Sequence, residues 1–298
     1  MRRRFVAVLA VVLALSVVGA ACAKKSGTTG GGSPPAGPSA PASASAGSSP
    51  TAPQLTLLKP GTLTVGSCLD YAPFEFYKNG HLVGFDVEIM QQIGKRLGLP
   101  PPYVTWVKAN FDTIFTALAT GKKFDAVAAA STITPERARI VDFSDPYYDS
   151  RQSLTVNTAK TPDIKTTDDL KSGDTVGVQK GTTGKDWAET NLAPKGIQVR
   201  TYTGITDAFT DLEAGRTVGI VNDEPSSLAE AEKRPSLKVV EPIETGEHYG
   251  IALNPNNPDL KPAVDGALHD LIADGTYAMV FKKYFPTLPL PPEFKPTS

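Results

Sequence analysis

The sequence predicts an α/β protein built as two similar units, each with a mostly parallel sheet and helices on its faces. Three observations carry this. Strand-like and helix-like segments alternate from Leu55 onward, and the alternation restarts partway along the chain. A length of 298 residues with a hydrophobic fraction of 40% is enough for one large domain or two smaller ones.

The first residues stand apart from that fold. Arg2, Arg3 and Arg4 form a basic n-region, and Phe5 to Val18 is an apolar h-region too short to span a bilayer comfortably. Residues 1–21 therefore read as a signal peptide. R-R-R-F-V loosely fits a twin-arginine signal, but a generic basic n-region is the simpler reading. G-A-A-C, Gly19 to Cys22, resembles the lipobox of bacterial lipoproteins, in which the cysteine is lipidated and becomes the new N-terminus. Gly19 stands where lipoboxes often carry leucine; an ordinary cleaved signal with an incidental cysteine is the alternative. Residues 22–54 are almost entirely Gly, Ser, Pro, Ala and Thr after the cysteine, a composition that buries no core and stays disordered. As a flexible coil the segment reaches roughly 30 Å and would act as a leash. The expected location is the cell envelope, on the outer face of the cytoplasmic membrane, lipid-anchored through Cys22. Cys68 is then a lone thiol, with a Cys22–Cys68 disulfide as the alternative.

The elements follow in order. Leu63 to Val65 is short, β-rich and followed by turn residues. Phe85, Ile89, Ile93 and Leu97 recur every four residues, which predicts an amphipathic helix over 85–97, ended by Gly98 and two prolines. Y-V-T-W-V, 103–107, is a strand. Phe111 to Thr120 is a helix with Asn110 as N-cap and Gly121 closing it. Phe124 to Ala130 is the next strand. The rhythm then restarts: a strand at 175–178, a turn into helix over 181–190, a strand from Gln198 to Tyr202, a helix from Ala208 to Ala214, a strand at 218–221 and a helix from Asp223. Tyr249 to Leu253 is a strand. Val264, Leu268, Leu271 and Ile272 mark one helix, and Tyr277, Val280, Phe281, Tyr284 and Phe285 the last.

Composition excludes several functions. A formal net charge of −1 argues against a nucleic-acid partner. Three scattered histidines and two cysteines offer no metal-ligand cluster, so neither metal nor cofactor is expected. T-T-G-K, 182–185, superficially matches a P-loop, but Gln179 stands where the first glycine is needed, so nucleotide binding is rejected.

In open α/β sheets ligands sit beyond the carboxyl ends of strands, so the loops there matter most. They read G-S-C-L-D-Y-A-P-F-E-F (66–76), L-V-G-F-D-V-E-I (82–89), T-I-T-P-E-R (132–137), D-F-S-D-P-Y-Y (142–148), K-G-T-T (180–183), N-D-E (222–224) and D-G-T-Y (274–277). In this order and spacing they resemble the polar amino-acid family of solute-binding proteins of ABC importers, over about Leu55 to Phe285. The resemblance implies two Rossmann-like lobes with mixed, mostly parallel sheets joined by a two-crossing hinge, the type II periplasmic-binding-protein fold. The crossings fall near Tyr148–Ser153 and Ile243–Tyr249. Lobe 1 is then 55–149 plus 247–298, and lobe 2 is 150–246. A ligand between the lobes favours the closed form because it contacts both.

The site residues come from the loops themselves and from the resemblance. Thr134-Pro135-Glu136-Arg137 is a helix start by its capping hydroxyl, proline and acid, and could be no more than that. A helix N-terminus also suits an anion, and Arg137 adds a fork that pairs with a carboxylate through two hydrogen bonds. Ser131 and Thr132 add hydroxyl donors. The resemblance places Thr132 and Arg137 on the ligand α-carboxylate and the backbone of Ala130 on its α-amino group. The resemblance makes Lys180, Thr182 and Thr183, around Gly181, the other half of the carboxylate clamp, with a capped helix start as the plain alternative. Asp223 is either a helix N-cap or the partner of the ligand ammonium. Tyr71 and Phe111 match positions that sandwich the ligand side chain.

Cys68 is a departure, since the family often has there an acid that reads the ligand side chain. A thiol is a weak, uncharged partner, which puts a preference for arginine, lysine or histidine in doubt. Asp70 could compensate only if it faced the cleft. Glutamine, glutamate, a small polar amino acid or a derivative stay open.

The function expected is capture of a polar amino acid and its delivery to a permease, with that permease and its ATPase on other chains and the protein itself a monomer. Two other functions use the same cleft. A sensory module would keep the cleft and use a partner other than a permease. A dehydratase-like enzyme on the same scaffold would need a poised acid or base in the cleft, for which Cys68, Asp70 and Asp223 are the candidates.

Overall fold

A computed structural model of the chain describes residues 55–297. The expected signal peptide, Cys22 and the tether to residue 54 lie outside the described residues. The described elements run in the order β1 (Leu63–Ser67), β2 (Asp70–Tyr71), β3 (Glu75–Lys78), β4 (His81–Val83), α1 (Phe85–Arg96), β5 (Val104–Lys108), α2 (Phe111–Ala119), β6 (Ala126–Val127), α3 (Pro135–Ala138), β7 (Asp142–Phe143) and β8 (Tyr148–Asn157). They continue with β9 (Thr175–Gln179), α4 (Thr183–Asn191), β10 (Gln198–Tyr202), α5 (Ile205–Ala214), β11 (Gly219–Asp223), α6 (Glu224–Lys233), β12 (Leu237–Tyr249), β13 (Ala252–Leu253), α7 (Leu260–Ala273) and α8 (Thr276–Tyr284).

Two five-stranded sheets organise two lobes. The first has the order β5-β1-β6-β13-β7, parallel from β5 to β6 and antiparallel through β13. The second has the order β10-β9-β11-β8-β12, parallel from β10 to β11 and antiparallel through β8 and β12. Each is therefore mixed, with a parallel half linked by β-α-β units and an antiparallel half supplied by the returning chain. β8 and β12 pair along their length and carry the chain from the first sheet to the second and back.

Several expectations change in detail. The strand expected over Phe124 to Ala130 pairs only at Ala126–Val127. Beyond it Ala130 takes φ 45, and its N–H is bonded by the Asp86 carboxylate at 2.8 Å, so the backbone leaves the ladder and turns into the cleft. Tyr249 closes β12 instead of opening the next strand, and only Ala252–Leu253 pairs after it. Asn110 stands at the N-cap of α2 without a side-chain hydrogen bond. The small antiparallel sheet β2-β3-β4 and the full lengths of β8 and β12 were not expected from the sequence. The strands β2, β3 and β4 are two to four residues long, too short to show a period.

The core explains why the crossing is well braced. Tyr148 and Tyr249, one on each crossing strand, stack at 5.5 Å between ring centroids. Phe285 lies 4.9 Å and Phe74 5.1 Å from the Tyr148 ring. Such pairs contribute about 1 kcal/mol each beyond their burial. Helices α1, α7 and α8 pack beside this cluster through Phe85, Leu268, Tyr277 and Phe281.

Candidate functional site

A small cavity, about 20 Å³ in volume, lies where the strand ends of the two sheets face each other. Cys68, Tyr71, Phe111, Ala130, Thr132, Arg137, Thr182, Thr183 and Asp223 line it, together with Ala129 and Gln179. Nine of the eleven residues singled out from the sequence are thus brought together. Ser131 and Lys180 are not. Ser131 is fully buried and its hydroxyl donates to the Ala129 carbonyl at 3.3 Å. Lys180 reaches out of the cavity to Asp112, 2.9 Å away on the opposite side of the cleft.

Arg137 sits on the one-turn helix α3, whose start is capped as expected: Thr134 Oγ1 accepts from the Arg137 N–H at 3.2 Å. The guanidinium donates to the carbonyls of Thr132 at 2.7 Å and Gly181 at 3.1 Å, so it already spans the two lobes. It lies 5.1 Å from the Phe111 ring centroid and 4.7 Å from that of Phe115. Both rings favour its charge and limit its rotation. Burial lowers its pKa, opposed by Asp223 and Glu247; a guanidinium stays protonated through such a shift.

Across the cleft, Thr182 caps α4, accepting from Lys185 N–H at 3.2 Å while donating to Gln179 O at 2.8 Å. Gly181 has φ +78, and a Cβ there would lie 2.7 Å from Asp112 Cα, so the lobes touch at this point.

The hydroxyls of Thr132 and Thr183 are committed elsewhere. Both donate to Glu247 Oε2, at 2.6 and 3.0 Å. Each hydroxyl has one proton, so in this arrangement neither donates to a ligand carboxylate, contrary to the role as donor expected for Thr132. What remains for an anion is the Arg137 N–H donors not spent on the Thr132 and Gly181 carbonyls, together with the free N–H groups at the start of α4.

Asp223 occupies the N-cap position of α6 but makes no side-chain cap. Its carboxylate instead accepts from Tyr71 Oη at 2.8 Å, Tyr249 Oη at 2.6 Å and Gln152 Nε2 at 2.6 Å. Burial, then the charge of Glu247, pushes its pKa up to about 6. Tyr71 thus does more than present a ring: its hydroxyl crosses from the first lobe to the second. Phe111 packs edge-on to Phe115 at 5.5 Å.

Cys68 carries a free thiol facing the cavity. Burial, then Glu75 and Asp70, pushes it well above its ordinary pKa, so it is neutral. Asp70 turns outward toward Lys108, 3.9 Å away, because it alternates with the inward Tyr71 on β2. It does not replace the missing acid.

Gln152, Glu247 and Asp86 escaped the sequence reading. Gln152 Nε2 bridges the Asp223 and Glu247 carboxylates at 2.6 and 2.8 Å. Asp86 is fully buried at the start of α1, bonded by Ala130 N–H and by Tyr147 Oη at 2.8 Å, and burial raises its pKa to about 6. One signal was available: at the end of β12, past a break in its pairing register, Glu247 and Tyr249 share the buried face two residues apart, which is strand alternation.

The profile of the bacterial extracellular solute-binding proteins, family 3, matches residues 63–287. The chain is 32% identical over 235 residues to the histidine-binding periplasmic protein of Escherichia coli K12, covering 76% of this chain and 88% of that one. It is 35% identical over 227 residues to the L-cystine-binding protein TcyJ of the same strain, covering 76% and 83%. An ancestral arginine-binding protein solved bound to arginine superposes with a TM-score of 0.70 at 38% identity, covering 76% of this chain and 98% of that one. These relatives are amino-acid-binding proteins. Among the described residues no helix is long and apolar enough to cross a membrane.

Proposed function

Because the chain belongs to family 3 of the bacterial extracellular solute-binding proteins, we propose that it captures a polar α-amino acid between its lobes and delivers it to the permease of an ABC importer. One observation carries the reading. A cation with two parallel donors, Arg137, and an acceptor-only carboxylate, Asp223, line the same small cavity, which is the pairing a zwitterion requires. The α-carboxylate meets Arg137 and the start of α4. The α-ammonium meets Asp223 and the backbone at Ala130. The side chain runs toward Cys68, between Tyr71 and Phe111.

We take 55–149 with 247–298 as one lobe and 150–246 as the other, closing about β8 and β12. Each lobe supplies part of the ligand's partners, so ligand favours the closed form. The permease and ATPase are other chains, and lipid on Cys22 with the 22–54 segment holds the monomer at the outer face of the cytoplasmic membrane. Cys68 as a neutral thiol and Asp223 as a carboxylate with three donors suit holding a ligand better than proton transfer.

A thermal-shift screen of the protein against the common amino acids, with calorimetry on any hit, tests this. A ligand that binds only the native state raises Tm with its concentration over Kd. The expected result is a rise with one or a few α-amino acids that Arg137→Ala abolishes. A rise that survives Arg137→Ala unchanged, or no rise with any amino acid, refutes it.

A further inference from the structure

Resting on the amino-acid-binding reading above, we propose that Glu247 is a positioning residue that sets ligand affinity without touching the ligand. It fixes the two cavity-lining threonines, one from each lobe, to the crossing strands.

Glu247 lies on β12 and is 6% exposed. Its Oε2 accepts from Thr132 Oγ1 at 2.6 Å and from Thr183 Oγ1 at 3.0 Å. Its Oε1 accepts from Gln152 Nε2 at 2.8 Å and from Thr245 Oγ1 at 3.0 Å. Thr132 follows the first sheet, Thr183 opens α4 beside the second, and Gln152 lies on the other crossing strand, β8. One carboxylate therefore joins both lobes and both crossing strands. It does not line the cavity, whereas Thr132 and Thr183 do.

The chemistry makes the carboxylate specific. Four donors converge on one side chain, and an ionised carboxylate is the only side chain that accepts at both ends and donates at neither. An isosteric glutamine cannot reproduce this. With its oxygen toward the threonines, its NH₂ meets the Gln152 NH₂, donor against donor. Turned over, its NH₂ faces both threonine hydroxyls and forces their protons away. Either way the closed arrangement loses charge-assisted hydrogen bonds that an open form, with Thr132 and Thr183 apart, does not make in common. Glu247 thus contributes to the closed state specifically, and ligand release slows accordingly.

The test uses the full chain with Cys22→Ser and spin labels at Lys122→Cys and Thr190→Cys, both exposed and on opposite lobes. Interlobe distances are measured without ligand and with L-arginine, L-histidine, L-lysine, L-glutamine and L-cystine in turn, alongside calorimetry. Glu247→Gln is expected to weaken the bound amino acid about tenfold or more, mainly by faster release. It is also expected to shift the distances toward the open form. Thr132→Val with Thr183→Val is expected to give a similar loss, to which Glu247→Gln adds little. A residue serving fold alone would lower Tm and leave the distances where they were. Wild-type affinity and distances in Glu247→Gln overturn the proposal, as does an undiminished effect of Glu247→Gln in the double-valine background. If the wild type binds no amino acid, the amino-acid reading fails by itself. The ligand-free distances then decide Glu247: a shift in Glu247→Gln supports it, and identical distributions sink it.

Discussion

Gly181→Ala separates closure from folding. Gly181 has φ +78, where an L side chain costs about 1 kcal/mol. That strain is local to the turn before α4 and is the same whether the lobes are apart or together, so it lowers stability and leaves affinity alone. The clash is different. The added Cβ would lie 2.7 Å from Asp112 Cα and 3.1 Å from its Cβ, and ordinary contact begins at 3.4 Å. The lobes must therefore part by about 0.3 Å to relieve the overlap, and by about 0.7 Å to reach ordinary contact, at this point. Backbone stands on the far side, so no side chain can rotate away. The same displacement lengthens the 3.1 Å bond from Arg137 to Gly181 O and the 2.9 Å pair of Lys180 with Asp112. Overpacking of this kind costs about 1–3 kcal/mol, here only in the closed form. That corresponds to about 5- to 150-fold in affinity. Gly173→Ala is the control: its φ is +95 and nothing lies within 4 Å of its Cβ position. Both variants are expected to melt lower than wild type by similar amounts in the absence of ligand. Only Gly181→Ala is expected to bind amino acid more weakly by calorimetry. Equal affinity in the two variants would show that the lobes do not close on Gly181.

Other outcomes follow from the buried acids and the cysteines. Asp223 and Asp86 each have a folded pKa of about 6 against 3.8 in the unfolded chain. The folded state holds the extra protons, so stability without ligand falls as pH rises from about 4 to about 6, by up to about 3 kcal/mol per group. The ligand ammonium needs ionised Asp223, so the rise in Tm with amino acid is expected to be larger at pH 7 than at pH 5; a rise independent of pH would remove Asp223 from the ammonium site. Cys68 is buried and held neutral, so its alkylation by iodoacetamide is expected to be slow in the folded protein and rapid in urea, and slower still with ligand bound. Cys22→Ala is expected to leave binding unchanged and to release the protein from membranes; membrane association that persists after normal signal cleavage would refute lipid anchoring.

Much of the cavity was legible in the sequence because it is built from chain-local chemistry. Thr134-Pro135-Glu136 starts a helix by capping and dihedral preference, and that alone delivers Arg137 to the strand end. Thr182 caps α4 for the same reason. The alternation of short apolar runs with periodic ones predicted two α/β units, the ordered loops predicted the family, and the resemblance implied that the sheets are mixed. What the sequence could not decide is where polar side chains find partners, since those lie far along the chain. Ser131, Thr132 and Lys180 have the right groups for a carboxylate, yet their donors go to Ala129, Glu247 and Asp112. Asp223 at a helix start looks like a cap, yet Tyr71 sits 152 positions away in sequence and claims its oxygen. A buried carboxylate must be satisfied by whatever donors the packed lobes bring to it, and only the tertiary structure determines which those are. Local propensity determined the elements and their order; long-range polar satisfaction among buried side chains at the cleft decided the roles within them.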